Sequence, residues 1–253
     1  MKNISLNLKT RTLFKKAVSF ITAVVMVITL LPLQPMTAYA EDTPEVLWGT
    51  SADSLTNSGT WAELSAALST EKENTSIKYV KANKSNVPVI REVGVYKDLT
   101  VDIAGHSLYL SSDGFISAKV SGVTVTVLDT AENDGTLKGD CTRIISIDGT
   151  LNLEGGRYEN TLTSGTTITS GGAGTCVDIS RHPDPEGITI NYLMVELSEE
   201  NFKKQFKLPE GYAWFDSDNN AVTAMKPYGI YTVGKSSEGI TYNVTVNFLC
   251  ELH

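Results

Sequence analysis

Short apolar segments recur along the chain every 20 to 24 residues, and this recurrence limits the fold more than any other feature. The segments are rich in Val, Ile and Thr and alternate in the way that half-buried strands do. One apolar residue from each gives the series Tyr79, Ile103, Val127, Ile147, Ile168 and Ile190, with gaps of 24, 24, 20, 21 and 22 residues. A period of this length is typical of solenoids, whose repeats bury their apolar faces only by stacking. Because the repeated content is strand and glycine turn, the sequence predicts an all-β fold, a parallel β-helix of five or six coils over residues 76–197.

A second recurring unit, a glycine followed by a leucine-containing strand, lies between those segments. It occurs at residues 105–110, 135–137 and 149–153. Glycine lets the chain turn a corner or approach the coil below closely. We therefore expect Ile103, Val127, Ile147 and Ile168 to share one inward-facing stack. A β-sandwich is the alternative, because short strands and the Asp-Gly pairs at 134–135 and 148–149 also suit hairpins.

Two helix signals bracket the repeats. Thr60 and Glu63 have the spacing of a capping box, and the apolar residues that follow fall on one helical face, which predicts a capping helix over 61–69. Ser198 begins a second helical pattern that ends before Pro209. Beyond it, the sequence predicts a hairpin around residues 212–222 and a last strand over 242–248.

The first 40 residues have the order of a secretory signal peptide. Five basic residues and no acidic one precede an uncharged apolar run. Ala38-Tyr39-Ala40 then forms a small-x-small cleavage site. The run contains Pro32 and is short for a membrane span, so we expect cleavage after Ala40, secretion, and no transmembrane span in the exported chain. The predicted organisation is a signal peptide over 1–40, a polar lead-in over 41–59, a β-helix domain with its N-terminal cap over 60–197, and a C-terminal cap and hairpin over 198–253.

Charge and cysteine content narrow the function classes. Removal of the signal segment leaves 16 basic and 29 acidic residues, a net charge of −13. Such a surface repels nucleic acid and anionic membranes, so nucleic-acid binding is excluded. The cysteines Cys141, Cys176 and Cys250 are too few for a disulfide scaffold, and free thiols are expected, with a Cys141–Cys176 bridge as the alternative.

No motif in the sequence specifies catalysis. A carbohydrate hydrolase needs paired carboxylates, one acting as acid and the other activating water. The chain contains no Asp-Asp pair. The segment Gly105-His106-Ser107 is interpreted as a coil corner, and no catalytic residue is assigned.

Polar loops and aromatic residues provide candidate binding residues. The proline-containing turn over 181–186 makes His182 and Asp184 candidates for contacting a sugar or a cation. Trp214 is a candidate for stacking on a sugar ring, because it and its neighbour Phe215 face opposite sides of a strand. Further exposed aromatics with the same potential are Tyr109, Tyr158, Tyr212 and Tyr228.

Two oxygen-rich loops suit a hard cation. Asp129, Asp134, Asp216 and Asp218 are candidate Ca²⁺ ligands, since Ca²⁺ prefers six to eight oxygens. Asp and Asn also form turns without a metal. The sequence therefore predicts no cofactor, with Ca²⁺ as the alternative.

Several segments carry motifs of a known family. They are Trp48-Gly-Thr, Thr60-Trp-Ala-Glu-Leu, Val101-Asp-Ile-Ala-Gly-His-Ser-Leu, Gly149-Thr-Leu-Asn-Leu-Glu-Gly-Gly and Leu208-Pro-Glu-Gly-Tyr. Together they resemble the pectate-lyase-like right-handed β-helix modules of Gram-positive bacterial surface proteins, over roughly residues 48–225. The chain departs from the family pattern at Ala104, usually Asn, and at Ser107, usually Thr. The resemblance implies the fold and an exported or wall-associated location, and it implies no activity.

The expected function follows from these observations. We expect a non-enzymatic secreted or cell-surface protein, an adhesin-like or spacer module that binds an extracellular polysaccharide or host matrix. The alternative is a carbohydrate-active enzyme, a polysaccharide lyase or hydrolase, whose carboxylates converge from different coils. Acidic polymers are disfavoured by the charge of −13 unless Ca²⁺ bridges them.

Overall fold

The computed structural model describes residues 43–172, 174–194 and 196–236. The predicted signal peptide, the predicted strand over 242–248 and Cys250 lie outside the described residues. The described chain begins with a hairpin of β1 (Val46–Ser51) and β2 (Ser54–Gly59), where the sequence indicated only a polar lead-in. Helix α1 (Trp61–Glu71) follows, with a 3-10 turn over Lys72–Asn74. Its capping box forms as expected, since Thr60 Oγ1 accepts from Glu63 N–H and Thr60 N–H donates to Glu63 Oε2.

Three short strands then recur in each turn of the chain. The first turn contains β3 (Tyr79–Ala82), β4 (Val87–Val89) and β5 (Val93–Gly94). The second contains β6 (Leu99–Asp102), β7 (Ser107–Leu110) and β8 (Ile116–Ala118). The third contains β9 (Thr124–Leu128), β10 (Thr136–Gly139) and β11 (Arg143–Ile147). The fourth contains β12 (Thr150–Leu153), β13 (Arg157–Asn160) and β14 (Thr166–Ser170).

The fifth turn is incomplete. It contains β15 (Cys176–Asp178) and β16 (Thr189–Tyr192), with no strand between them. The described chain then continues through helix α2 (Glu199–Gln205), β17 (Phe206–Lys207), β18 (Tyr212–Phe215) and β19 (Gly229–Lys235). The described residues thus form about four complete turns, where the sequence predicted five or six.

Equivalent strands of successive turns pair in parallel, so three sheets run along the solenoid. The first sheet has the order β17-β15-β12-β9-β6-β3-β1-β2, the second β13-β10-β7-β4, and the third β18-β19-β16-β14-β11-β8-β5. Among the strands β1 to β19 of the described residues, only the pairings of β1 and of β19 are antiparallel. This arrangement is the predicted parallel β-helix and excludes the alternative β-sandwich, whose sheets are antiparallel.

Rows of apolar residues on the inside set the register. The row of the third sheet is Val93, Ile116, Ile145, Ile168 and Ile190, each the register partner of the next. The row of the first sheet is Leu99, Val125, Leu151, Val177 and Phe206. All ten side chains are buried. Each row therefore continues one apolar core through turns that are far apart in sequence.

The predicted single stack of Ile103, Val127, Ile147 and Ile168 is wrong. Val127 lies in the first sheet, whereas Ile147 and Ile168 lie in the third. The latter two are not register partners either, because Ile168 pairs with Ile145 and Ile147 pairs with Ser170. The corners between strands differ in length. Residues at a near-regular spacing along the sequence therefore do not all fall in the same sheet.

Glycine corners behave as the sequence indicated. A side chain at Gly149 would place its Cβ 2.1 Å from the carbonyl oxygen of Val123 in the turn below. Gly105 has a φ of 74°, a left-handed conformation that favours glycine. These positions need glycine because successive turns approach each other closely there.

Helices and antiparallel strands cover the ends of the stack. Trp61, Leu64 and Leu68 of α1 are buried. The Trp61 ring packs edge-on against the Phe115 ring, with ring centroids 5.3 Å apart. At the other end Ser198 caps α2, and Phe202 stacks on Phe206 at 5.9 Å. Of the predicted hairpin, the turn after β18 and a bridge between Phe215 and Ala221 are present, while the main partner of β18 is β19. Within the described ranges no helix is long and apolar enough to cross a membrane.

The inward rows predict that alanine substitutions at a buried and at an exposed isoleucine differ sharply in their effect on the free energy of unfolding. Ile145→Ala leaves a cavity between two turns and is expected to lower the free energy of unfolding by about 2–5 kcal/mol. Ile90→Ala, at a side chain that is 60% exposed, is expected to change it by less than about 0.5 kcal/mol. Urea unfolding of both variants measures the difference, and equal losses would contradict the assignment of inside and outside.

Candidate functional site

The second sheet ends one turn before its neighbours, and the end leaves a gap. The first and third sheets continue to β15 and β16, while the second stops at β13. The chain that would supply the next strand contains Pro183 and Pro185. Proline has no N–H to donate to a ladder, so this segment cannot pair regularly with β13. It passes outside the sheet as a loop.

A pocket of about 310 Å³ lies between that loop and β13. It brings together His182 and Asp184, both predicted as binding residues, and Asp134, predicted as a metal ligand. The other ionisable and aromatic residues of the lining are Arg157, Tyr158, Glu159 and Glu186. The turn over 181–186 therefore lines the pocket, and β13 supplies lining residues that sequence reasoning missed.

His182 is a buried support of the pocket rather than an exposed binding group. Its Nδ1 accepts from the Asp184 N–H at 3.2 Å, and its Nε2 lies 3.0 Å from the Gly156 carbonyl oxygen. A ring nitrogen that accepts from an amide has no proton, so Nε2 is the nitrogen that donates. Burial lowers the pKa of His182. The Gly156 carbonyl and the carboxylates of Asp184 and Asp134 raise this pKa, but they offset the effect of burial only in part. His182 therefore lies in the pocket wall with a buried ring, whereas the neighbouring Asp184 is exposed.

The carboxylates of the pocket already have partners. Asp134 pairs with Arg157 at 3.2 Å, Glu186 with Lys235 at 3.2 Å, and Glu159 with Lys138 at 2.9 Å. Asp184 accepts from the Tyr212 hydroxyl at 3.2 Å, and desolvation together with this contact raises the pKa of Tyr212. All four carboxylates are solvent-exposed, so these contacts position them without burying charge.

An exposed row of side chains runs along the outside of the second sheet and ends at the pocket. Pro88, Tyr109, Lys138 and Glu159 are register partners on successive turns. Tyr109 is 49% exposed, and Ile90, two residues after Pro88, is 60% exposed. Parallel strands hold such neighbours about 4.8 Å apart. The row is therefore a regular surface with one aromatic ring, an apolar side and a charged pair.

Trp214 is not available for ligand binding. Its side chain is 2% exposed and packs edge-on against Phe206, with ring centroids 6.4 Å apart. Of the two neighbours in β18, Phe215 is the more exposed. The strand alternation was predicted correctly, but the indole lies on the inner side because it helps to close the end of the core.

Asp129 and Asp216, two further candidate metal ligands, accept hydrogen bonds from backbone N–H groups. Asp129 accepts from the N–H groups of Gly105 and Gly135 and so joins two corners. Asp216 accepts from the N–H groups of Asp218 and Asn220 in the turn after β18. Within residues 43–172, 174–194 and 196–236, His, Cys, Asp and Glu side chains form no group of three or more that would hold a metal ion.

Other sequence candidates have structural roles. His106 lies at a coil corner, with its Nδ1 2.9 Å from Ser85 Oγ, and it is not part of the pocket. Cys141 and Cys176 are free thiols, so the alternative of a disulfide between them is wrong. Burial raises the pKa of the Cys141 thiol.

Comparison with family models, with curated proteins and with solved structures found no match to this chain. The assignment of fold and site therefore depends on the geometry of this chain.

The fixed tautomer of His182 predicts a pH-dependent stability. Because the pKa is lowered from 6.5 in the folded state, the unfolded chain binds the proton more readily. The contribution of His182 is complete above pH 6.5 and declines as the pH falls through the lowered value. His182→Gln retains a donor and an acceptor without titrating, so it is expected to lose less stability between pH 7.5 and pH 5. Urea unfolding at both pH values measures this, and equal losses in the two proteins would contradict the assignment.

Proposed function

We propose that this chain is an exported binding module without catalytic activity, which holds an extended neutral polysaccharide along the outside of its second sheet. The signal-peptide pattern of residues 1–40 supports export. The resemblance to pectate-lyase-like modules of Gram-positive surface proteins supports a location outside the cell. The proposal requires no cofactor and no nucleic acid.

The exposed row of Pro88, Tyr109, Lys138 and Glu159 carries the proposal. An aromatic ring on an exposed face offers a large apolar contact at low conformational cost, which suits the C–H face of a sugar ring. Lys138 and Glu159 offer a donor and acceptors for hydroxyl groups one and two turns away. A solenoid repeats such contacts at a fixed spacing, as an extended polymer does.

The chemistry of the pocket supports binding rather than hydrolysis. Hydrolysis needs two carboxyl groups whose environments separate their pKa values. Asp134, Glu159 and Glu186 each have a cationic partner, and all are exposed. His182 uses both ring nitrogens to hold the loop.

A carbohydrate-active enzyme is the second candidate. The observation that favours it is the convergence of four carboxylates, Asp134, Glu159, Asp184 and Glu186, on one pocket. They come from three turns, which is how a solenoid assembles a site that the sequence does not reveal. The two candidates differ in whether a bound polysaccharide is cleaved.

Loss of the Tyr109 ring tests the binding surface. Tyr109→Ala is expected to weaken retention on the neutral polysaccharide that binds best, from a panel of dextran, xylan, galactan and glucomannan, by about two- to tenfold. Tyr228→Ala is the control, because Tyr228 is 78% exposed but lies off the row. Affinity electrophoresis measures both variants against the unmodified exported chain.

The same incubations decide between the candidates. The binding module is expected to retain polysaccharide without releasing reducing or unsaturated ends. Ends that appear with the unmodified chain and vanish with Glu159→Gln or Asp184→Asn would contradict the non-catalytic proposal. Retention that is equal for Tyr109→Ala and Tyr228→Ala, or absent for every polymer, would contradict the binding surface.

A further inference from the structure

We propose that the free edge of β13 binds an extended basic peptide segment, which adds to the second sheet as its next strand. This site shares Glu159 with the outer row on which the proposed function depends, but it uses a different part of the second sheet. The row presents side chains, whereas the edge presents backbone groups. The inference rests on the direction of the β13 amides, on the prolines of the facing loop and on the charge of the lining.

The amides of β13 alternate between its two sides. Arg157 N–H donates to the Gly135 carbonyl at 2.8 Å, and Thr161 N–H donates to the Gly139 carbonyl at 2.8 Å, so both point toward β10. Successive N–H groups of a strand point to opposite edges. Those of Tyr158 and Asn160 therefore point away from β10, to an edge with which no strand of the described chain pairs. Such an edge is a template for another strand.

The facing loop leaves this edge open and cannot close it. His182 contacts the first carbonyl of the edge, that of Gly156, and fixes where the loop departs. Pro183 and Pro185 follow, and neither has an N–H for a ladder. The space between is the pocket of about 310 Å³, which is partly open to solvent and has Tyr158 in its wall. A peptide that enters it meets backbone donors and acceptors on one side.

The charge of the lining selects a basic peptide. Four carboxylates line the pocket, and three of them pair with Arg157, Lys138 and Lys235, so one negative charge is left without a cation among the described residues. Asp184 accepts from Tyr212 and has no ion pair within the described part of the chain. Side chains of an added strand alternate, so every second one is directed to the same side. Lys or Arg at alternate positions would therefore reach the carboxylates while the backbone pairs with β13, the usual mode of β-strand addition.

The test uses the whole exported chain and the synthetic peptide acetyl-Val-Lys-Val-Lys-Val-amide. Fluorescence anisotropy of a labelled peptide gives the affinity, and amide hydrogen exchange gives the site. We expect saturable binding with slower exchange at Tyr158 and Asn160. Replacement of both lysines by glutamate is expected to abolish binding.

Two methylated peptides separate strand pairing from charge attraction. One carries N-methyl groups on its valine amides and the other on its lysine amides. A strand pairs through every second amide. We therefore expect one peptide to lose affinity by about tenfold or more, because each missing hydrogen bond leaves a backbone group unpaired, while the other binds as the parent does. Equal effects of the two methylation patterns would overturn the proposal.

Protein variants locate the charge and separate the two sites. Asp184→Asn is expected to weaken peptide binding about two- to fivefold, whereas Asp113→Asn, an exposed carboxylate in a distant turn, is expected to leave it unchanged. Tyr109→Ala should also leave it unchanged, so failure of the polysaccharide proposal would not affect this result. Unchanged exchange at Tyr158, or dimerisation of the protein that excludes the peptide, would overturn the proposal.

Discussion

The stacking of inward aliphatic residues between successive turns is the interaction on which the structure depends. A single turn of this chain exposes both backbone edges and much of its apolar face, so it cannot be stable alone. Parallel pairing holds consecutive turns about 4.8 Å apart, a spacing at which aliphatic side chains in register contact each other. The row Val93, Ile116, Ile145, Ile168 and Ile190 extends through five successive turns. Coverage of the ends by α1 and α2 follows from the same requirement.

Corners must satisfy the polar groups that such a stack brings together. Asp102 is almost completely buried, and its carboxylate accepts from Ala104 N–H, Thr130 N–H, Thr130 Oγ1–H and the Tyr79 hydroxyl. These bonds join three turns, and burial with the nearby Asp102 charge raises the pKa of Tyr79 to about 12. Where a corner lacks such support, as at Pro183 and Pro185, the sheet ends and a pocket opens. The candidate site is therefore a local interruption of the repeat.

The solenoid could be predicted from the sequence because stacking imposes a period on the chain. That period stays recognisable although the corners vary in length. Sequence reasoning could not assign strands to sheets, because corner lengths vary enough to move Ile147 into a different sheet from Val127. It located the loop at 181–186 through its prolines but could not show that His182 is buried, since burial there depends on Gly156 from the turn below. Tyr109, Lys138 and Glu159 meet only through the register of distant strands, which no local pattern contains.

Contacts between isoleucine methyl groups test the stacked core most directly. With selectively labelled isoleucine methyls, nuclear Overhauser effects are expected to connect Ile116 with Ile145, Ile145 with Ile168, and Ile168 with Ile190, since each pair is adjacent in register. No short-range contact along the sequence would produce this series. Absence of these three contacts, with backbone effects that indicate antiparallel pairing of neighbouring segments, would contradict the parallel β-helix.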